Sequence, residues 1–79
     1  MIIKTKILCV SIDEETEKKT SWWDEFQFNL DHYVCHSYDQ DGSCLHLAGL
    51  SYPMVIKLTF DELSELLRKR YSFETIALN

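Results

Sequence analysis

Hydrophobic and polar residues alternate with unusual persistence over residues 22–38. Aromatic and aliphatic side chains fill most of the even positions from Trp22 to Tyr38, and polar or small side chains fill most of the odd ones. A period of two residues places successive side chains on opposite faces of a β-strand. A single strand of this length is rare, so we expect a bulge or a break near residues 29–31.

A tight hairpin is predicted immediately after this alternation. Residues 39–42 read DQDG, and an Asp-Gly pair between alternating segments is a strong signal for a two-residue turn. Residues 43–48 then supply the returning strand. The loop is formed either by residues 40–41 or by residues 41–42, and these two registers differ by two positions. Both registers therefore place the same three side chains on one face of the hairpin: Cys35, Cys44 and His46.

Two further apolar segments predict strands. Residues 2–12 are rich in β-branched side chains, and residues 7–10 are apolar on both faces, as in a strand that is covered on both sides or paired with another chain. Residues 54–58 (MVIKL) follow a turn at residues 49–53 and predict another strand. Residues 13–20 (DEETEKKT) predict a charged loop.

An amphipathic helix is predicted over about residues 59–70. Thr59 and Glu62 have the spacing of a capping box, in which each side chain bonds the other residue's backbone N–H. One apolar stripe follows at helical spacing: Phe60, Leu63, Leu66, Leu67 and Tyr71. Residues 74–78 (ETIAL) predict a short final strand, either parallel to residues 54–58 or antiparallel to another strand.

These elements predict an α+β fold in a single domain, residues 1–79. We expect a mostly antiparallel sheet of about 4–5 strands, with a long hairpin and one amphipathic helix packed on one face. A chain of 79 residues leaves room for one hydrophobic core.

The net charge of −5 narrows the choice of partners. Residues 1–56 carry most of the imbalance, with nine carboxylates against four lysines, whereas residues 57–79 are balanced. Non-specific nucleic-acid binding depends on cationic side chains that neutralise phosphates, so we expect no direct nucleic-acid binding. An acidic surface suits a protein target with a basic surface or imitation of a nucleic acid, and it also serves solubility.

We expect a cytoplasmic protein with reduced thiols. The apolar start of the chain is short and is interrupted by Lys4 and Lys6, which is unlike a secretory signal, and no apolar run is long enough to span a membrane. Three cysteines are an odd number, which fits free thiols better than a disulfide framework.

The sequence contains no motif that names a reaction, so we predict no catalytic residues and no cofactor. An alternative interpretation is a small metal-binding or thiol module built from Cys35, Cys44 and His46, since zinc accepts thiolate and imidazole ligands. A Cys-x-x-Cys spacing is missing, and so is a fourth ligand unless His32 or an acid supplies it. A Cys35–His46 nucleophile pair has suitable residue types, but no oxyanion site is evident.

Adjacent tryptophans in a strand point to opposite faces. Trp22 shares its parity with Phe26 and Phe28, so we predict that it lies in the core. Trp23 shares its parity with polar residues and is predicted to emerge among acids, unless the 13–20 loop folds over it. The predicted partner-binding residues are Trp23, Asp13, Glu14, Glu15, Asp24 and Glu25.

In size, acidity and lack of catalytic motifs, the chain resembles small acidic inhibitors, namely immunity proteins, antitoxins and phage-encoded anti-defence proteins. The resemblance implies a stoichiometric inhibitor that occludes a basic surface of a target protein, in the host cytoplasm if the chain is phage-encoded. A structural homodimer or assembly subunit is the alternative, formed through the 7–10 strand and exposed sheet edges.

Overall fold

The computed structural model describes residues 1–71 and shows an antiparallel sheet with one helix packed against it. The elements are β1 (Ile2–Ile12), β2 (Lys19–Asn29), a 3-10 turn (Leu30–His32), β3 (Tyr33–Asp39), β4 (Gly42–Leu47), β5 (Met54–Ile56) and α1 (Phe60–Tyr71). The five strands lie in the order β2-β1-β5-β4-β3. The α+β prediction is confirmed, and the strand predicted at residues 74–78 lies outside the described residues.

The long alternating segment is divided in two, as expected. Asn29 caps the 3-10 turn, because its side chain accepts a hydrogen bond of 3.0 Å from the backbone N–H of Asp31. The two halves then pair with different partners, β2 with β1 and β3 with β4.

The β3–β4 hairpin has the first of the two predicted registers. Asp39 pairs with Gly42, so residues 40–41 form the loop. Cys35 lies directly opposite His46, and Cys44 lies opposite Ser37 on the same face. The shared face of these three side chains is therefore confirmed.

The core lies between one face of the sheet and α1. Helix residues Leu63 and Leu67 are buried against sheet residues that include Leu45 and Ile56. The capping box is present, with Thr59 N–H donating to Glu62 Oε1 at 3.0 Å and Glu62 N–H donating to Thr59 Oγ1 at 3.1 Å. We call the face of the sheet that α1 covers the helix-side face and the opposite one the outer face.

Strand β1 lies between β2 and β5 in the sheet, but it pairs with β5 only at Ile7. Ile7 pairs with Ile56, and the next contact is a 2.9 Å hydrogen bond from Lys57 N–H to the Lys6 carbonyl. Residues 8–12 of β1 pair with β2 alone, so the predicted pairing of the 7–10 strand with another copy is not contradicted and stays a prediction. Within residues 1–71, the free edges of the sheet belong to β2, to β3 and to residues 8–12 of β1, which extend past β5.

The β1–β2 ribbon makes the molecule long. Its two strands pair without interruption from Ile2–Asn29 to Ile12–Lys19. Strand β5 is much shorter, so the far end of the ribbon extends past both the helix and the rest of the sheet. We call this end, residues 8–23, the arm. The Cα radius of gyration is 14.5 Å, against about 11 Å for a compact chain of this size.

No helix among residues 1–71 combines the length and hydropathy that a membrane span requires.

Candidate partner-binding site

A carboxylate-rich turn forms the tip of the arm. Asp13 holds the turn, since its Oδ1 accepts hydrogen bonds from the N–H groups of Glu15 at 2.9 Å and Thr16 at 3.4 Å. Glu17 adopts a positive φ of 57° in place of a glycine. The predicted 13–20 loop is shorter than expected, because Lys19 already begins β2. All the turn residues are exposed, so Glu14, Glu15 and Glu17 present their charge at the end of the arm.

Trp22 is exposed, and the prediction that it lies in the core is wrong. Its parity was correct, because it lies on the helix-side face together with Phe26 and Phe28. Phe28 is buried and Phe26 packs against the core, but 46% of the surface of Trp22 remains accessible. The physical reason is distance along the strand, since Trp22 lies on the arm and α1 covers only the C-terminal end of β2, around Phe26 and Phe28. Its cross-strand partner is Cys9.

Trp23 lies on the outer face, as predicted, but it is half-buried. Its cross-strand partner is Leu8, and the Lys57 ammonium lies 5.5 Å from the centre of its ring. A cation at this distance from an indole face is attracted by the ring's quadrupole. Cover for Trp23 therefore comes from the chain just after β5, whereas the alternative prediction placed the 13–20 loop over it.

The structure divides the six predicted residues among three places. Asp13, Glu14 and Glu15 are at the tip. Asp24 lies on the helix-side face beside Trp22. Trp23 and Glu25 lie on the outer face, where Glu25 Oε1 is 3.8 Å from Lys6 Nζ. Only the tip residues and Asp24 flank an exposed tryptophan, and that tryptophan is Trp22.

A shallow pocket of about 460 Å³ joins Trp22 to the tip. Its lining residues are Ser11, Asp13, Lys18, Thr20 and Trp22. Sequence analysis missed Trp22 as a surface residue because alternation shows which face a side chain occupies, but not how far the helix extends over that face.

Lysines and carboxylates are distributed unevenly over the molecule. By strand parity, the outer face carries four lysines, Lys4, Lys6, Lys19 and Lys57, and two carboxylates, Glu25 and Asp39. The tip carries four carboxylates with Lys18, namely Asp13, Glu14, Glu15 and Glu17, and Asp24 lies on the helix-side face at the base of the arm. The negative field is therefore concentrated around Trp22 and the tip, which suits a basic partner there.

Cys35, Cys44 and His46 share the outer face without forming a metal site. Cys35 is exposed and Cys44 is half-buried, and both are free thiols. Among residues 1–71, no three His, Cys, Asp or Glu side chains come together as a metal ion would require. The zinc interpretation therefore has no ligand set in this part of the chain.

His36 joins β3 to the start of α1. Its Nδ1 is 2.8 Å from the Tyr33 hydroxyl, and its Nε2 is 3.2 Å from the Phe60 carbonyl and 3.1 Å from Ser64 Oγ. Its ring also packs against Phe60, with 4.5 Å between centroids. Burial raises the pKa of the Tyr33 phenol, so that group remains a donor at neutral pH. These contacts use both ring nitrogens of His36, which indicates a structural role in holding the helix.

No protein-family model, curated protein sequence or solved structure matches this chain. Functional inference therefore depends on the geometry and charge of the molecule itself.

Proposed function

We propose that this chain is a cytoplasmic protein-binding module, a stoichiometric inhibitor of the immunity, antitoxin or anti-defence type. It acts by placing its arm against a basic surface of a target protein and occluding that surface. The observation that supports this proposal is the exposed Trp22 on a projecting ribbon, between the acidic tip and Asp24.

The accessible part of Trp22 is large enough to anchor a complex. A tryptophan side chain can bury up to about 250 Å². With 46% of Trp22 still accessible, roughly 115 Å² remains for a partner to cover. At about 25 cal/mol per Å², that area is worth about 3 kcal/mol, or roughly a hundredfold in affinity. This is the range of a binding hot spot.

The carboxylates supply attraction over a longer distance. The tip residues are fully hydrated, so each contributes little to the final affinity of a complex. Their shared sign instead raises the rate at which a basic surface is encountered. Association should therefore slow markedly as salt shortens the screening length.

The two tryptophans form a matched pair for testing this proposal. The target is first captured from source or host cells on immobilised wild-type protein at low salt, identified and purified. Binding of the purified target is then compared for Trp22→Ala and Trp23→Ala. We expect about a hundredfold loss of affinity for Trp22→Ala and a much smaller loss for Trp23→Ala, whose ring already packs beneath Lys57.

Thermal unfolding of both variants controls for misfolding. Equal affinities of wild type and Trp22→Ala would contradict the role of the arm. If no stoichiometric protein is captured at either low or high salt, the proposed function itself fails.

A further inference from the structure

Strand β2 presents a long free edge of the sheet. It has 11 residues, contains neither Gly nor Pro, and pairs with β1 without a bulge. On the opposite side of the sheet, the edge strand β3 has 7 residues and a register shift between Tyr33 and Cys35. Bulges and short length protect an edge from pairing with another chain, and β2 has neither protection.

Two hydrogen bonds determine which backbone groups of β2 face outward. Leu30 N–H donates to the Met1 carbonyl at 2.9 Å, and Asp13 N–H donates to the Lys18 carbonyl at 3.0 Å. In an antiparallel ladder, hydrogen-bonded pairs alternate with non-bonded pairs. The even residues of β2 therefore bond to β1. The odd residues, from Lys19 to Asn29, direct their N–H and C=O groups toward the free edge.

A second copy can pair with this edge only in a few symmetric registers. In a continuous sheet, the helix-side faces of the two copies lie on the same side, so each residue of β2 lies opposite a partner residue that points to the same face. The twofold axis must then pass beside one residue of β2, which lies opposite its own copy. An axis at Asp24 or at Glu25 sets two identical carboxylates against each other. An axis at Trp23 places Lys19 opposite the partner's Gln27 and Glu25 opposite the partner's Ser21. Neither Lys19 nor Glu25 then faces an opposite charge.

An axis at Trp22 makes the charges complementary. Lys19 then lies opposite the partner's Glu25 on the outer face, and the same pair repeats across the axis. Thr20 lies opposite the partner's Asp24. The exposed Trp22 ring meets the partner's Trp22 on the helix-side face. Of the axes at residues 22–25, only the one at Trp22 places a lysine of β2 opposite a carboxylate of β2.

We propose that two copies of this chain associate antiparallel through the free edges of β2, with the twofold axis at Trp22. The two five-stranded sheets then form one continuous sheet. Self-association and target binding compete for Trp22, so the dimer regulates access to the arm. This regulatory role of the dimer rests on the proposed function, whereas dimerisation itself does not.

Exchanging the charges at positions 19 and 25 tests the register. Dimerisation is measured by sedimentation velocity on the purified full chain over a range of concentrations. We expect wild type to show a concentration-dependent monomer–dimer equilibrium. Lys19→Glu and Glu25→Lys should each weaken dimerisation about tenfold or more, because each turns two attractive pairs into repulsive ones. The double variant restores opposite charges in both pairs and should recover dimerisation.

Glu14→Lys is the control, since it makes the same charge change at the tip, outside the proposed interface. Wild-type protein that stays monomeric at every concentration would overturn the proposal. A double variant no better than the single variants, or a Glu14→Lys variant as weak as Glu25→Lys, would also refute it.

Backbone pairing is tested separately with Ser21→Pro. The N–H of Ser21 faces outward, so proline removes an edge donor while leaving the bonds to β1 in place. We expect a folded monomer. A Ser21→Pro dimer as strong as wild type would contradict edge pairing, and the charge exchange decides the question if this variant does not fold. These measurements contain no target protein, so their failure is distinct from failure of the proposed function.

Discussion

Gly42 is the residue at which a single added methyl group should be most damaging. A Cβ atom at this position would lie 2.0 Å from the Ile56 carbonyl oxygen and 3.1 Å from the Ile56 carbonyl carbon. Both atoms belong to the backbone of β5, so no side-chain rotation can relieve the contact. Gly42→Ala therefore forces β4 and β5 apart by more than about 1 Å, since non-bonded carbon contacts are about 3.5 Å or longer.

The cost of that separation has two parts. Overpacking in a rigid interior costs about 1–3 kcal/mol. The displacement also strains the hydrogen bond that the buried Ser43 hydroxyl donates to the Leu58 carbonyl at 2.6 Å, which is worth about 1 kcal/mol. We therefore expect Gly42→Ala to lower the free energy of unfolding by about 2–4 kcal/mol. This is a large share of the 5–15 kcal/mol typical of a small domain.

Urea unfolding followed by far-UV circular dichroism measures this loss. Gly49→Ala is the matched control, because a Cβ at Gly49 meets nothing within 4 Å and its φ of 85° adds only conformational strain of about 1 kcal/mol. Gly42→Ala should be destabilised well beyond this control. The slope of its free energy of unfolding against urea concentration should be the same as that of wild type. If the two variants lose the same stability, the close approach to β5 is not what requires glycine at position 42.

Two further predictions concern contacts of the turn and helix. The Tyr71 hydroxyl donates to Asp31 Oδ1 at 2.5 Å, and this bond is the largest cause that holds the pKa of Asp31 below its ordinary value of 3.8. Tyr71→Phe should thus reduce stability at neutral pH. In urea unfolding at several pH values, its difference from wild type should begin to shrink below about pH 3.8 and should vanish only below the lowered pKa of folded Asp31. His36→Ala removes the contacts to Tyr33 and α1 and should lower the free energy of unfolding by about 1–3 kcal/mol. The control, His32→Ala at an exposed position, should change it by less than about 0.5 kcal/mol. Equal effects of the two variants would contradict the role of His36 in joining β3 to α1.

Local sequence signals were sufficient for the β3–β4 hairpin and the helix. The Asp-Gly pair limited the turn to two registers with the same parity, so the shared face of Cys35 and His46 followed from the sequence alone. The capping box likewise located the start of α1 at Thr59. Both signals act through the backbone within a few residues, which is why they needed no knowledge of the tertiary structure.

Tertiary structure decided the features that the sequence did not predict. The pairing of β1 with β2 was not evident, because the connecting turn contains no Gly or Pro and Glu17 takes the positive φ instead. The exposure of Trp22 depends on where the helix ends above the sheet, which no local pattern contains. The acidic tip could be found from composition, but the tryptophan beside it could not.

The short strand β5 also has a consequence for how quickly the chain folds. Each of the pairs β1–β2, β3–β4 and β4–β5 joins neighbouring segments, whereas the Ile7–Ile56 pair joins residues separated by most of the described chain. The entropy of closing a long loop is therefore concentrated in this one pairing. We expect Ile56→Val to slow refolding in stopped-flow experiments and Val10→Ala, on the arm, to act mainly on the unfolding rate. If instead Val10→Ala slows refolding and Ile56→Val changes mainly the unfolding rate, pairing within the β1–β2 ribbon, rather than the pairing of β1 with β5, limits folding.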